Sequence, residues 1–218
     1  WSASLGRMPV AIPGLTLLKR EFDHEERGRE DPSPPWIEIY IDSSGSMPRP
    51  ANQFSPLAFA GMLLSRAALR AGSMARIIQY ASPNKAVAME DFRADQNLIY
   101  EALLDFLGGG TLFPFPILAE SCERFRSAAR IQRLVISDVD FLTNVGGAEV
   151  EAEVAATLQT AAEPPNALLG ILNLGAVGLV PERLPGGLAA TGMELVGIRE
   201  WNELNGIAAD IGRRIFGR

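Results

Sequence analysis

Short β-branched runs alternate along most of this chain with longer stretches of helical periodicity, and that alternation narrows the fold more than any other feature. Trp36-Ile37-Glu38-Ile39-Tyr40-Ile41 is apolar, too short for a buried helix, and bounded by Pro34-Pro35 before and Asp42-Ser43-Ser44-Gly45 after, so it reads as a buried strand. Phe54 to Ala71 then carries Leu57, Ala60, Leu64, Ala67, Ala68 and Ala71 in a dense helical pattern that stops at Gly72. Arg76 to Tyr80 reads as a second strand and Lys85 to Met89 as a short third. Asp95 is placed to cap a helix from Gln96 to Leu107, with Leu98, Ala102 and Phe106 on one face and Gly108-Gly109-Gly110 as its stop. A helix from about Pro116 to Ala129 precedes the strand Arg133 to Ser137; a helix opened by Gly146-Gly147 carries Val150, Val154, Leu158 and Ala161. Leu168 to Leu172 and Glu194 to Ile198 are the last strands, and a closing helix carries Trp201, Leu204, Ile207, Ala208, Ile211 and Ile215. Strands separated by helices call for crossover connections, so the expected fold is α/β: a doubly wound, mostly parallel central sheet of about six strands flanked by helices.

The totals set outer limits. At 218 residues the chain supports one well-cored domain more readily than two. The expected organisation is an N-terminal extension or linker over 1–35 and the folded domain over 36–218. Within the first segment, Lys19 to Asp31 is a dense run of mixed charge closed by Pro32-Ser33-Pro34-Pro35, which suits a solvated linker or edge ribbon better than a docking arm. The first residue is Trp1 and no signal-peptide pattern follows it, so a piece of a longer protein is expected. A net charge of −6 argues against nucleic acid or an anionic membrane as the main partner, and no apolar run reaches the roughly 20 residues that a membrane span needs. The lone Cys122 excludes an intrachain disulfide and reads as a core or semi-buried thiol.

The chemistry gathers where strands end. Asp42-Ser43-Ser44-Gly45-Ser46 places one carboxylate and two hydroxyls at alternate positions on the loop that leaves the first strand, the edge at which open α/β sheets bind ligands. Hard oxygen donors of this kind suit magnesium or manganese far better than zinc or copper. Two later places offer matching donors: Thr111, just after a triple glycine that can bend tightly toward an ion, and Asp138, at the end of Leu134-Val135-Ile136-Ser137. Asp42, Ser44, Ser46, Thr111 and Asp138 are the candidate metal ligands. Each taken alone also suits a turn or helix-cap role.

These residues in this order resemble the von Willebrand factor A family: Asp42-x-Ser44-x-Ser46, a Gly-Gly-Thr ending at Thr111, and Ile136-Ser137-Asp138 look like its metal-ion-dependent adhesion site. The resemblance runs from about Trp36 to the C-terminal helix. It implies direct contacts to Mg²⁺ (Mn²⁺ or Ca²⁺ as alternatives) from Ser44, Ser46 and Thr111, with Asp42 and Asp138 acting mostly through water. Neutral hydroxyl ligands leave the ion's charge poorly cancelled, so an open position attracts a carboxylate from a protein partner. By the same resemblance the chain is expected to be a bacterial, cytoplasmic adaptor or co-chaperone beside a MoxR-type AAA+ ATPase or its target complex, with no catalytic residues. The chain departs from the family at Val139-Asp140, where glycine often follows the aspartate, and in the apolar loop Leu112-Phe113-Pro114-Phe115-Pro116, which suits a docking surface and core packing equally.

Two other functions stay open. A Mg²⁺-dependent phosphohydrolase or phosphotransferase using Asp42, Asp138 and Asp140 is one, although the second carboxylate that dehalogenase-type phosphatases place two residues after the first is here Ser44. An extracellular adhesin domain is the other. A serine hydrolase lacks its base, since the only histidine is His24 in the charged run, and neither a Gly-x-Ser-x-Gly elbow nor a phosphate-binding Gly-x-x-x-x-Gly-Lys loop occurs.

Overall fold

The computed structural model describes residues 33–82, 84–127, 130–145, 151–175, 188 and 190–217. Six strands form one sheet: β1 (Trp36–Asp42), β2 (Ala75–Tyr80), β3 (Ala86–Ala88), β4 (Ile131–Asp138), β5 (Ala167–Asn173) and β6 (Glu194–Ile198). Their order is β3-β2-β1-β4-β5-β6, parallel throughout except for β3, which pairs antiparallel with β2. The chain leaves β1 toward β2 on one side and later returns to β1's other flank as β4. The reversal of winding therefore falls between β1 and β4, where such sheets open a crevice at their C-terminal edge.

Among the described residues six helices cover the sheet: α1 (Pro56–Arg70), α2 (Gln96–Leu104), α3 (Phe115–Arg124), α4 (Asp140–Val145), α5 (Ala152–Ala162) and α6 (Leu204–Phe216), the last entered through a 3₁₀ turn at Trp201–Glu203. Successive side chains of a strand point to opposite faces. Ile37, Ile39 and Ile41 of β1 thus join the core beneath α1, α2 and α6, while Tyr40 joins the one beneath α3, α4 and α5. Ile37 and Ile39 are fully buried, each worth about 1.5–3 kcal/mol relative to exposure. Helix α1 starts where Ser55 Oγ accepts a hydrogen bond from Ala58 N (3.3 Å) and Pro56 fills the first turn, so Phe54 lies outside it and is 65% exposed.

Several sequence expectations need correction. Helix α2 ends at Leu104, with Asp105 already extended at φ −60° and ψ 146°, so the triple glycine is not its stop. Its buried face is Ile99 and Leu103; Leu98 is 48% exposed, because a helix this short presents only one full stripe to the sheet. Helix α3 ends at Arg124 rather than Ala129. The helix α4, directly after β4, was not expected. The expected extension over 1–35 falls almost wholly outside the described residues, as do His24, the charged run from Lys19 to Asp31 and Gly146-Gly147.

One polar network crosses the sheet below the site. Glu38 of β1 sits in register between Arg76 of β2 and Arg133 of β4. Its Oε1 accepts from Arg76 Nη1 (2.6 Å) and Ser121 Oγ (2.7 Å), and its Oε2 accepts from Arg133 Nε (2.9 Å). All four residues are buried, and a buried charge is tolerable only when paired in this way.

Candidate metal centre

Two loops that leave the sheet's C-terminal edge, after β1 and β4, meet the loop that joins α2 to α3. The first carries Asp42 at the end of β1. Asp42 is 1% exposed and its two carboxylate oxygens are held from different directions: Oδ1 accepts from Ser44 N (2.9 Å), and Oδ2 accepts from Ser137 Oγ (2.7 Å) on the neighbouring strand β4. Ser44 Oγ and Ser46 Oγ lie 3.3 Å apart, with Ser44 buried and Ser46 exposed, so the alternate spacing of the motif brings its two hydroxyls together.

The second loop carries the triple glycine and Thr111. It lies directly against the first: Gly108 N donates to Ser43 O (2.9 Å) and Gly45 N donates to Gly109 O (2.8 Å). Gly109 has φ +108°, a region that L side chains rarely adopt, and a Cβ there would stand 2.4 Å from Ser82 Oγ. Close backbone approach, not helix termination, is what these glycines do. Thr111 follows, half-buried, with its carbonyl accepting from Asn144 Nδ2 (3.2 Å). Two residues on, Phe113 is 2% exposed and its ring meets those of Tyr40, Tyr80, Phe115 and Phe141 at 4.9–5.3 Å. The apolar loop therefore divides its labour: Phe113 anchors it in the core, and Leu112 is 43% exposed beside Thr111.

The third loop begins at Asp138. Its Oδ1 accepts from Asp140 N (2.9 Å), which turns the chain straight into α4, and Asp140 is the exposed first residue of that helix. Burial holds the carboxyls of Asp42 and Asp138 above the ordinary aspartate range. The Asp140 charge adds to both shifts and the Asp42 charge to that of Asp138, while the hydrogen bonds that each accepts act the other way. Among the described residues, no lysine or arginine pairs with either carboxylate.

Sequence reasoning missed Ser137 and Asn144. Ser137 was legible in principle, because Ile41 pairs with Ile136 and the next step along both strands sets Asp42 beside Ser137. Asn144 had no such signal, since α4 itself was not foreseen.

No family model and no curated protein matches the sequence. Solved structures do match. The chain is similar to a von Willebrand factor type A protein from Catenulispora acidiphila, with a TM-score of 0.59 and 18% identity over 85% of this chain and 43% of that one. The fold is that of a von Willebrand factor A domain. It is likewise similar to the vWF domain of the type V pili tip protein Mfa5 from Porphyromonas gingivalis (TM-score 0.56, 10% identity, 84% of this chain and 97% of that one). An aerotolerance-related membrane protein from Bacteroides fragilis gives a TM-score of 0.52 at 17% identity, covering 83% of this chain and 98% of that one. At these identities the likeness speaks for the A-domain fold alone. Among the described residues no helix is long and apolar enough to cross a membrane.

The donor set fits a hard cation. Among the described residues no group of three or more His, Cys, Asp or Glu side chains is placed to hold an ion, so any ion on this A-domain edge would depend on hydroxyls. Two carboxylates and three hydroxyls match the oxygen-only preference of magnesium.

Proposed function

We propose that this A domain is a metal-dependent protein-binding module. Asp42, Ser44, Ser46, Thr111 and Asp138 would hold Mg²⁺, with Mn²⁺ or Ca²⁺ as substitutes. One observation carries the reading: Asp42 is a buried carboxylate beside a second carboxylate, and no cationic side chain among the described residues compensates either. Buried charges are ordinarily paired or bound to metal, and the pairing here is left to an ion. The bound ion supplies one positively charged position open to a carboxylate oxygen. Ser137 and Ser44 N orient Asp42, and Asp140 N orients Asp138, so the residues that fix the site act on its carboxylates from behind.

On this reading the ligand is a side chain that a partner projects onto the sheet's C-terminal edge, where the ion's open position would meet it. We propose an aspartate or glutamate as that side chain and, as its bearer, a MoxR-type AAA+ ATPase or its target complex in the cytoplasm. The likeness to a pili tip domain supports a second reading, an extracellular adhesin using the same edge.

Calorimetric titration with Mg²⁺ and Mn²⁺, on wild type and a Ser44→Ala/Ser46→Ala variant, tests the proposal. Saturable binding that the variant loses, and that a glutamate-containing peptide tightens, is the expected result. Wild-type protein that binds neither ion would overturn it, and metal-dependent phosphate release would replace it with the enzyme reading.

A further inference from the structure

The third and second loops of the site are joined behind it by one side chain. Asn144 lies in the last turn of α4, four residues beyond Asp140. Its Nδ2 donates to Thr111 O (3.2 Å) and to Asp140 O (2.6 Å), and its Oδ1 accepts from Phe113 N (3.0 Å). Every one of these contacts is to backbone. Asn144 therefore fixes the two peptide groups that flank Leu112 to the helix that Asp138 starts. A ring contact runs parallel to it: Phe141 of α4 meets Phe113 edge-on at 5.2 Å.

We infer that Asn144 is a positioning residue that couples the Thr111 loop to the Asp138 loop, so that both limbs of the cation site are set together before any ion arrives. The inference rests on the metal-binding reading above and deepens it. An amide is the side chain suited to this position: Nδ2 donates to two carbonyls while Oδ1 accepts from an N–H, whereas a carboxylate has no donor and a hydroxyl only one. Helix α4 alone does not make the link, because its neighbouring polar residue Thr143 donates only to Asp140 O (2.7 Å), within the helix. Asn144 reaches across.

The test compares wild type, Asn144→Ala and Thr143→Ala. Mn²⁺ affinity is read by calorimetry, and amide hydrogen exchange at Phe113 is read in the metal-free proteins. Loss of an outer partner of a metal ligand typically weakens binding about 10–100-fold, and Asn144→Ala is expected to fall in that range while Thr143→Ala keeps wild-type affinity. Phe113 exchange is expected to quicken in Asn144→Ala alone. Equal losses in the two variants, wild-type affinity in Asn144→Ala, or a collapse of its circular dichroism would each overturn the inference. The exchange arm needs no ion. If wild type binds no Mn²⁺, the metal reading fails, and Phe113 exchange still decides whether Asn144 holds the loop.

Discussion

Replacing Asp42 with asparagine swaps a buried carboxylate for its neutral isostere and separates the cost of the site from its use. The Asp42 carboxyl sits above its ordinary range although Ser44 N and Ser137 Oγ both bond to it, so burial outweighs those bonds and the metal-free fold prefers a neutral group there. Asparagine keeps an acceptor for Ser44 N, and Ser137 can turn its hydroxyl to accept from the amide. In chelator, Asp42→Asn is therefore expected to unfold at the same temperature as wild type or somewhat above it. In Mg²⁺ the order reverses. At a free concentration of about 100 times Kd, an ion that binds only the folded state adds about 2.7 kcal/mol. For a chain of this length that corresponds to a rise of roughly 5–11 °C in Tm, and Asp42→Asn should lose nearly all of it. Differential scanning fluorimetry of both proteins, in chelator and in Mg²⁺, reads out the four values. A variant that melts well below wild type in chelator would show that Asp42 is chiefly a structural acceptor; one that keeps the Mg²⁺ increment would remove Asp42 from the site.

Glu38→Gln leaves Arg76 and Arg133 buried against a neutral amide and should cost about 3–5 kcal/mol in chemical denaturation; a change below about 1 kcal/mol would mean that the network contributes no net stability. Phe113→Ala removes the ring on which Tyr40, Tyr80, Phe115 and Phe141 meet, for an expected loss of about 3–5 kcal/mol together with weaker Mn²⁺ binding as the Thr111 loop loosens. The raised carboxyls of Asp42 and Asp138 predict an unusual pH response. Their contribution to folding is fully present below the unfolded-state value of about 3.9 and is lost as pH rises through the raised folded-state values. On acidification from neutral pH, the metal-free protein should gain stability from these two groups while the Mg²⁺ increment shrinks; an increment that stays constant down to about pH 4 would exclude both carboxylates as ligands.

What the sequence revealed follows from how local each signal is. The six strands were legible because apolar runs bounded by turn residues need no knowledge of their neighbours, and the doubly wound α/β fold followed from their alternation with helices. Asp42, Ser44, Ser46 and Asp138 were legible as residues of the sheet's C-terminal edge because each sits at or just past a strand end, where direction is set by the strand. The face of α2 was misread because Leu98 and Phe106 have the right spacing over a longer helix than the chain forms; once Asp105 turns extended, the sheet sees Ile99 and Leu103 instead. Phe113 could not be told from Leu112 by composition, since only the ring cluster contributed by β1, β2 and α4 decides which of the two is drawn inward. Asn144 was invisible for the same reason: its three partners are backbone groups, two of them more than thirty residues away in sequence.

The Glu38 network has a bearing on the metal centre although the two lie at different levels of the sheet. With both faces of β1 buried, a slip of two residues against β2 or β4 would still set apolar side chains against apolar side chains, and hydrophobicity alone would resist it weakly. Such a slip would move Arg76 or Arg133 opposite Trp36 or Tyr40, bury that arginine without its carboxylate and take from Glu38 one of its two arginine partners. The two ion pairs therefore act as a dowel through three strands. Asp42 stands four residues above the dowel on β1, and Ser137 stands four above it on β4. The 2.7 Å bond between them is the far end of a count that begins at Glu38. An error in pairing made at the foot of the sheet would reappear at its crest, as ligands that fail to meet.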